Sequence, residues 1–375
     1  MILRAILLLV AAVPAAANPL QPLADALVAG DPAIPSVVIH ATAPAAGINW
    51  IAAAAGARET GPVSLAARPF RIASTTKLFT AAAILRLVET GRIGLDMGVD
   101  RLLSPQTVAM LAGGGHAPYR ITVRWLLTHR SGLPDHAELP AFQAAIMANP
   151  QRRWQRSEQI ALAMQDGRPV GAPGAVWSYS DTGYLLLAEV IERQTGRPWA
   201  AALRHLLTLD HLGLPDTWFE TLEPPPRGTA ARPLLRQYLG DLDITSADPS
   251  FDLWGGGGLV STVTDLVRFM RALQAGALFS RRETRDLALS DQRPVAPGSD
   301  TLHGLVFFHE IIAGHRCIGH PGFWNVDLVA CPSLDLVLAV SLNQPITKRP
   351  GERRALVAAI VTAVAAQTRE QRLRP

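Results

Sequence analysis

Ser74 and Lys77 stand three residues apart in the run Ser74-Thr75-Thr76-Lys77. On a helix, residues three apart share a face, so the hydroxyl and the amine can meet. A serine is a weak nucleophile until a neighbouring base takes its proton. Lysine can be that base when burial disfavours its charge, whereas arginine stays protonated. Composition sharpens the point. Of 35 Lys+Arg residues only Lys77 and Lys348 are lysine, which leaves 33 arginines. A chain that uses arginine almost everywhere has kept a lysine three residues after a serine, while Lys348 has no motif around it and reads as an ordinary solvated residue. At the start of a helix Ser74 would also sit among free N–H groups, which favour an anion developing during acyl transfer.

Further segments follow in order along the chain. They are Gly91-Arg-Ile-Gly-Leu-Asp96, Ile121-Thr-Val-Arg-Trp-Leu-Leu-Thr-His-Arg-Ser-Gly-Leu133, Tyr179-Ser-Asp181-Thr-Gly-Tyr184, Gly256-Gly-Gly-Leu-Val-Ser-Thr262 and Gly319-His320-Pro-Gly322-Phe323. With the S-x-x-K run, this collinear set resembles the serine β-lactamase and penicillin-recognising superfamily in its class C-like branch, from about residue 35 to 345. That branch includes D-Ala-D-Ala carboxypeptidases, D-aminopeptidases and esterases. The resemblance implies Ser74 as the acyl-forming nucleophile, Lys77 as its proton partner and Tyr179 as the relay to the leaving group. An unassisted phenol titrates near pH 10, so Tyr179 is expected to need a cation such as Lys77 beside it. The backbone N–H groups of Ser74 and Phe323 are implied as the oxyanion hole. Asp181, His320 and Gly322 are expected on the substrate side, with Gly322 small because substrate backbone lies against its strand.

Two positions depart from the family pattern. Asp181 replaces an asparagine, so a group that donates and accepts becomes one that only accepts when ionised. It could pair with a substrate amine, or serve only to orient Lys77. His320 replaces a lysine, which gives less standing positive charge for a substrate carboxylate. Both changes weaken the reading as an efficient β-lactamase. They favour a serine hydrolase acting on an ester, a D-amino-acid amide or a peptidoglycan-like peptide. A catalytically inactive binding or regulatory module is the alternative of a different class.

The elements that must position these residues can be read coarsely. Residues 20–29 read as a short helix, and the apolar runs Pro35 to Ala43 and Ile48 to Ala54 as a hairpin broken at Gly47. Ser74 to Glu89 has helical periodicity, with Gly91 as its stop. Thr262-Val-Thr-Asp265 matches a capping box opening a helix to about Ala275. Strand-like segments return at Leu302 to Ile312, Arg316 to His320, Val326 to Cys331 and Leu336 to Leu342, before a terminal helix at about Glu352 to Gln367. The expected fold is α/β (α+β): an antiparallel sheet flanked by helices, built from residues 18–92 and 295–375, with a mostly helical subdomain inserted over 93–294. It is one β-lactamase/transpeptidase-like catalytic unit.

Composition limits the partners. Charged residues make up 18% of 375 and the formal net charge is +4. The arginines form no basic run and no aromatic-interleaved stripe, which disfavours nucleic acid and leaves a small-molecule or peptide substrate. Residues 1–17, with Arg4, a short apolar stretch and Ala15-Ala16-Ala17, read as a secretory signal, so a periplasmic or secreted protein with no membrane span after cleavage is expected. Cys317 and Cys331, the only cysteines, flank a segment that could turn a hairpin, so a disulfide and a pair of buried thiols are both open readings. No histidine spacing matches a metal motif, and the four glycines Gly255 to Gly258 lack the Lys-Ser/Thr of a phosphate loop, so no metal or cofactor is expected. Trp177, Trp254 and Trp324 lie beside motif segments, either lining the cleft or packed in the core.

Overall fold

A computed structural model describes residues 18–60, 64–290, 292–345 and 350–372. The segment 1–17, read above as a secretory signal, and Lys348 lie outside the described residues.

The first two strands, β1 (Ser36–Ala43) and β2 (Ile48–Ala55), form the expected hairpin, turned through Gly47 at φ +59°. Three short pairs of residues follow as β3 (Phe70–Arg71), β4 (Trp218–Phe219) and β5 (Tyr238–Leu239). Next come β6 (Leu242–Asp243), β7 (Leu259–Ser261), β8 (Arg293–Pro294) and β9 (Leu302–His303). The last four are β10 (Phe308–Ile312), β11 (His315–Gly322), β12 (Val326–Cys331) and β13 (Leu336–Ser341). The main sheet has eight strands in the order β2-β1-β13-β12-β11-β10-β9-β8, with every pairing antiparallel. It is therefore assembled from the two ends of the chain, as expected. The run read as one strand from Leu302 to Ile312 is two, because Gly304 to Phe307 leave the extended path between β9 and β10.

The intervening segment holds most of the helices, among them Pro105–Gly113, Arg156–Asp166, Asp181–Thr195 and Val263–Ala275. It is also stitched to the first part of the chain, since β3 pairs β7 and β7 pairs β4. One apolar core joins both parts: Phe70, Leu78 and Phe79 pack with Leu127, Leu187, Phe269 and Leu328. A second apolar layer lies on the other face of the sheet. There Ile39, Leu338 and Val340 meet Leu20 of the helix Leu20–Gly30 and Ile360, Val361 and Val364 of the helix Pro350–Arg372. Strand residues alternate between these layers, as a two-sided sheet requires: Val337 and Ala339 face the first core, Leu336, Leu338 and Val340 the second.

Half of the expected capping box forms. Thr262 Oγ1 accepts from the Asp265 N–H at 3.2 Å, but the Asp265 carboxylate turns away to Thr217 and the Asp216 N–H. Cys317 and Cys331 stand on the paired strands β11 and β12 and are joined by a disulfide, with their Cα atoms 4.2 Å apart.

Candidate active site

Ser74 does not lie on the α-helix itself. It sits in a single 3₁₀ turn, Ala73–Thr76, which feeds the helix Lys77–Glu89. Ala73, just before it, is held at φ +45°, a left-handed conformation that costs an L-residue energy and persists only where the surroundings impose it. Ser74 and Lys77 still face each other, because a 3₁₀ turn repeats every three residues.

The Lys77 side chain is fully buried. Its Nζ donates to Ser74 Oγ at 2.9 Å, to the Gly256 carbonyl at 2.9 Å and to the Asp181 carboxylate. An ammonium has three N–H donors and all three are used, which fixes the nitrogen beside the serine. Gly256 cannot carry a side chain, since a Cβ there would stand 2.8 Å from Asp181 Oδ1 and 3.4 Å from Lys77 Nζ. The glycine run is thus a close approach of backbone to the lysine rather than a phosphate cradle. Asp181 opens the helix Asp181–Thr195, where Ser180 Oγ caps by accepting from the Gly183 N–H. Its carboxylate points at Lys77, so the orienting role is the one that the geometry supports.

Tyr179 precedes that cap. Its ring centre lies 5.0 Å from Lys77 Nζ, and the Ser74 hydroxyl is a hydrogen-bonding neighbour of its phenol. Some of the tyrosine's surface reaches the cleft, yet burial of the phenol, followed by the nearby Asp181 charge, pushes its pKa well above 10. Lys77 thus stands beside Tyr179 as expected, yet the phenol is not made acidic. Desolvation outweighs the hydrogen bond with Ser74, which pulls the other way. Two carboxyls that the motifs did not flag close the ring around Asp181. Burial, then repulsion from Asp181, raises Asp135 well above the usual carboxylate range and Asp252 to about 7.

The last motif strand completes the wall and corrects the reason for its glycine. Gly322 is small because β11 packs against the Ser74 turn: a Cβ would meet the Ile72 carbonyl at 2.4 Å and Thr75 Oγ1 at 3.1 Å. Thr75 Oγ1 also donates to the His320 carbonyl at 3.4 Å. Close packing, before any contact with substrate, dictates that glycine. His320 is a buried ring, its Nδ1–H donating to the Pro321 carbonyl at 2.6 Å. Burial, then Lys77, holds its pKa well below 6.5, so it is neutral and offers no standing charge to a substrate carboxylate. Pro321 costs the sheet little, because β10 pairing ends at Phe308–Gly319, before Pro321 is reached. Phe323, directly after β11, is 38% exposed, its ring set edge-on to that of Trp324. Trp324 is buried in the core, while Trp177 packs against His303 and Phe308.

His129, His303 and His320 bring ring nitrogens within 4.8 Å of one another, all buried. Their polarity does not suit a metal ion. His129 Nδ1 already accepts the Ser180 N–H at 3.1 Å, so the neutral ring carries its proton on Nε2. A metal ligand needs a lone pair there. A cavity of about 430 Å³ lies elsewhere, under β9 to β11 among Leu273, Phe307 and Ile318, and contains none of these residues. Among the described residues no helix is long and apolar enough to cross a membrane.

A serine held by a lysine at the mouth of a helix, with a tyrosine opposite and a β-strand edge closing the cleft, defines the penicillin-recognising class of serine hydrolases. The comparisons agree. The Beta-lactamase family model matches residues 24–363, and the chain belongs to that family. It is 30% identical over 254 residues to esterase EstB from Burkholderia gladioli, covering 62% of this chain and 63% of that one. It is 27% identical over 216 residues to the D-alanyl-D-alanine-carboxypeptidase/endopeptidase AmpH of Escherichia coli, covering 58% and 51%. The chain thus spans between half and two thirds of the length of these relatives. Among solved structures it resembles a D-stereospecific amidohydrolase from Streptomyces sp. at a TM-score of 0.73 and 27% identity, covering 86% and 93%. It also resembles the D-amino acid amidase from Ochrobactrum anthropi SV3 at 0.73 and 25%, covering 92% and 99%. The relatives it resembles within that family are thus an esterase, a carboxypeptidase/endopeptidase and D-specific amidohydrolases.

Proposed function

We propose that this chain is a secreted or periplasmic hydrolase that forms an acyl-enzyme at Ser74 on esters or D-amino-acid amides. The observation that carries this reading is the buried Lys77 Nζ, 2.9 Å from Ser74 Oγ and tied to Asp181 and Gly256. In its amine form Lys77 takes the Ser74 proton as Oγ attacks the carbonyl. Its remaining N–H groups stay on Gly256 and Asp181, so the nitrogen need not move. The N–H groups of Ser74 and Phe323 take the developing oxyanion. Tyr179, neutral at rest, passes a proton to the departing oxygen or nitrogen, and water then releases the acyl group by the reverse route.

The identity of residue 320 ranks the substrates. Carboxypeptidase substrates and β-lactams present a carboxylate, and the neutral, buried His320 gives it no cation at that motif position. Esters and amides lacking that carboxylate lose nothing there. Purified protein should hydrolyse p-nitrophenyl acetate or butyrate, or D-alanine p-nitroanilide, far faster than nitrocefin, and a fluorophosphonate should label Ser74. Nitrocefin turnover above both other substrates would sink this ranking, and no labelling by fluorophosphonate or a tagged penicillin would favour the inactive binding-module reading.

A further inference from the structure

His129 touches three consecutive residues of the segment that delivers Tyr179. Its carbonyl accepts the Ser178 N–H at 2.8 Å, and its Nδ1 accepts the Ser180 N–H at 3.1 Å. Its ring stacks on the Tyr179 ring between them, centroids 4.2 Å apart and planes 27° from parallel. To do this, His129 adopts φ +54°, two residues past the end of the helix Val123–Leu127. Such a conformation is uncommon for a residue with a side chain, and it marks a position that its surroundings over-determine. The same two segments are laced further along. Gly174 N–H donates to the Arg130 carbonyl at 2.7 Å and Val170 N–H to the Gly132 carbonyl at 3.0 Å. At Gly132 a Cβ would stand 2.1 Å from the Gly171 carbonyl.

We infer that His129 is a positioning residue for Tyr179: it sets the height and plane of the phenol over Ser74 without touching the reacting atoms. The contacts explain why a histidine serves. A backbone-like acceptor is needed for Ser180, and a flat ring is needed against Tyr179. Phenylalanine supplies only the ring and asparagine only the acceptor, though asparagine tolerates the left-handed conformation well. Because a proton relay works over hydrogen-bond distances, a shift of about 1 Å in the phenol can cost about 100-fold in rate. The inference rests on the reading of Tyr179 as the proton relay.

A double-mutant cycle in the full-length protein tests it, with ester hydrolysis as the readout and circular dichroism confirming folding. Tyr179→Phe alone should lower kcat; if it does not, the relay reading falls rather than the clamp. His129→Gly, which accommodates φ +54° but loses the ring and its Nδ1, should lower kcat about 100-fold with KM within about twofold, because substrate contacts are untouched. His129→Asn, which can still accept from Ser180, should lose less. In the Tyr179→Phe background neither change should lower kcat further, since both act through the missing hydroxyl. Equal losses in both backgrounds would mean a general structural role and would overturn the inference. So would a His129→Gly variant with kcat unchanged while Tyr179→Phe is impaired. Should the glycine variant misfold, the asparagine variant carries the same cycle.

Discussion

The two faces of the main sheet are built on opposite terms. The face under the helices Leu20–Gly30 and Pro350–Arg372 is a dry layer in which Ile39, Val340, Leu338, Ile360, Val361 and Val364 are fully buried. The face toward Ser74 carries a buried lysine, three carboxyls around it, and the rings of His129, His303 and His320. It also carries backbone held at positive φ in Ala73, His129 and Trp254. Burying polar groups and bending backbone both cost stability. The first face supplies the stability that lets the second keep its groups desolvated and aimed.

The largest effect that bears on this contrast is on rate. Ser74→Ala, and Lys77→Arg, whose guanidinium cannot give up a proton, should each cut turnover by about 10⁴-fold or more. Thermal melts should move little beside that loss; a collapse of the fold would show that the lysine braces structure as well. On the opposite face the balance inverts. Ile360→Ala should cost about 2–5 kcal/mol of stability with kcat unchanged in the folded fraction, read by urea unfolding beside an ester assay. Opening the Cys317–Cys331 bridge by a double change to serine should cost about 3 kcal/mol, as loop entropy suggests for residues 14 apart. An unaltered urea midpoint would show the strands already hold each other.

The pH dependence separates the groups of the polar face by sign. Burial lowers His303 to about 3 and His136 to about 4, from an ordinary 6.5. The unfolded chain therefore takes up protons that the fold refuses, and stability from these rings is lost as pH falls below 6.5. Asp252 behaves oppositely. With its pKa raised to about 7 from 3.8, the fold holds a proton that the unfolded chain has released. Its contribution is present in acid and lost as pH rises from 4 to 7. Melting curves should show His303→Gln flattening the acid slope and Asp252→Asn raising Tm at pH 8 more than at pH 5. The smallest effect is Thr262→Ala, about 1 kcal/mol for one helix cap, measured by the same melts.

Much of the molecule was legible because it follows local rules. The hairpin at Gly47, the helix after Ser74 and the strands β11 to β13 follow from period, turn residues and stops, which neighbours along the chain enforce. The break at Gly304 to Phe307 was not visible, since apolar residues continue through it. Tyr179 and Asp181 could be named from their motif, but not the sign of the phenol's shift, which depends on how completely neighbours from other segments exclude water. Asp135, Asp252 and His303 carried no motif signal at all; only their placement near Lys77 or Tyr179 singles them out.

By itself the sequence determined which atoms could react. A lone motif lysine three residues from a serine, in a chain otherwise furnished with arginine, needs no tertiary information, because spacing and proton affinity are local properties. Tertiary structure decided what surrounds those atoms. Residues 129, 179 and 320 are remote in sequence, and only folding gathers their rings, keeps His320 neutral and turns Asp181 toward Lys77. Solvation and charge balance are sums over all neighbours, so they exist only once the chain has closed around the site.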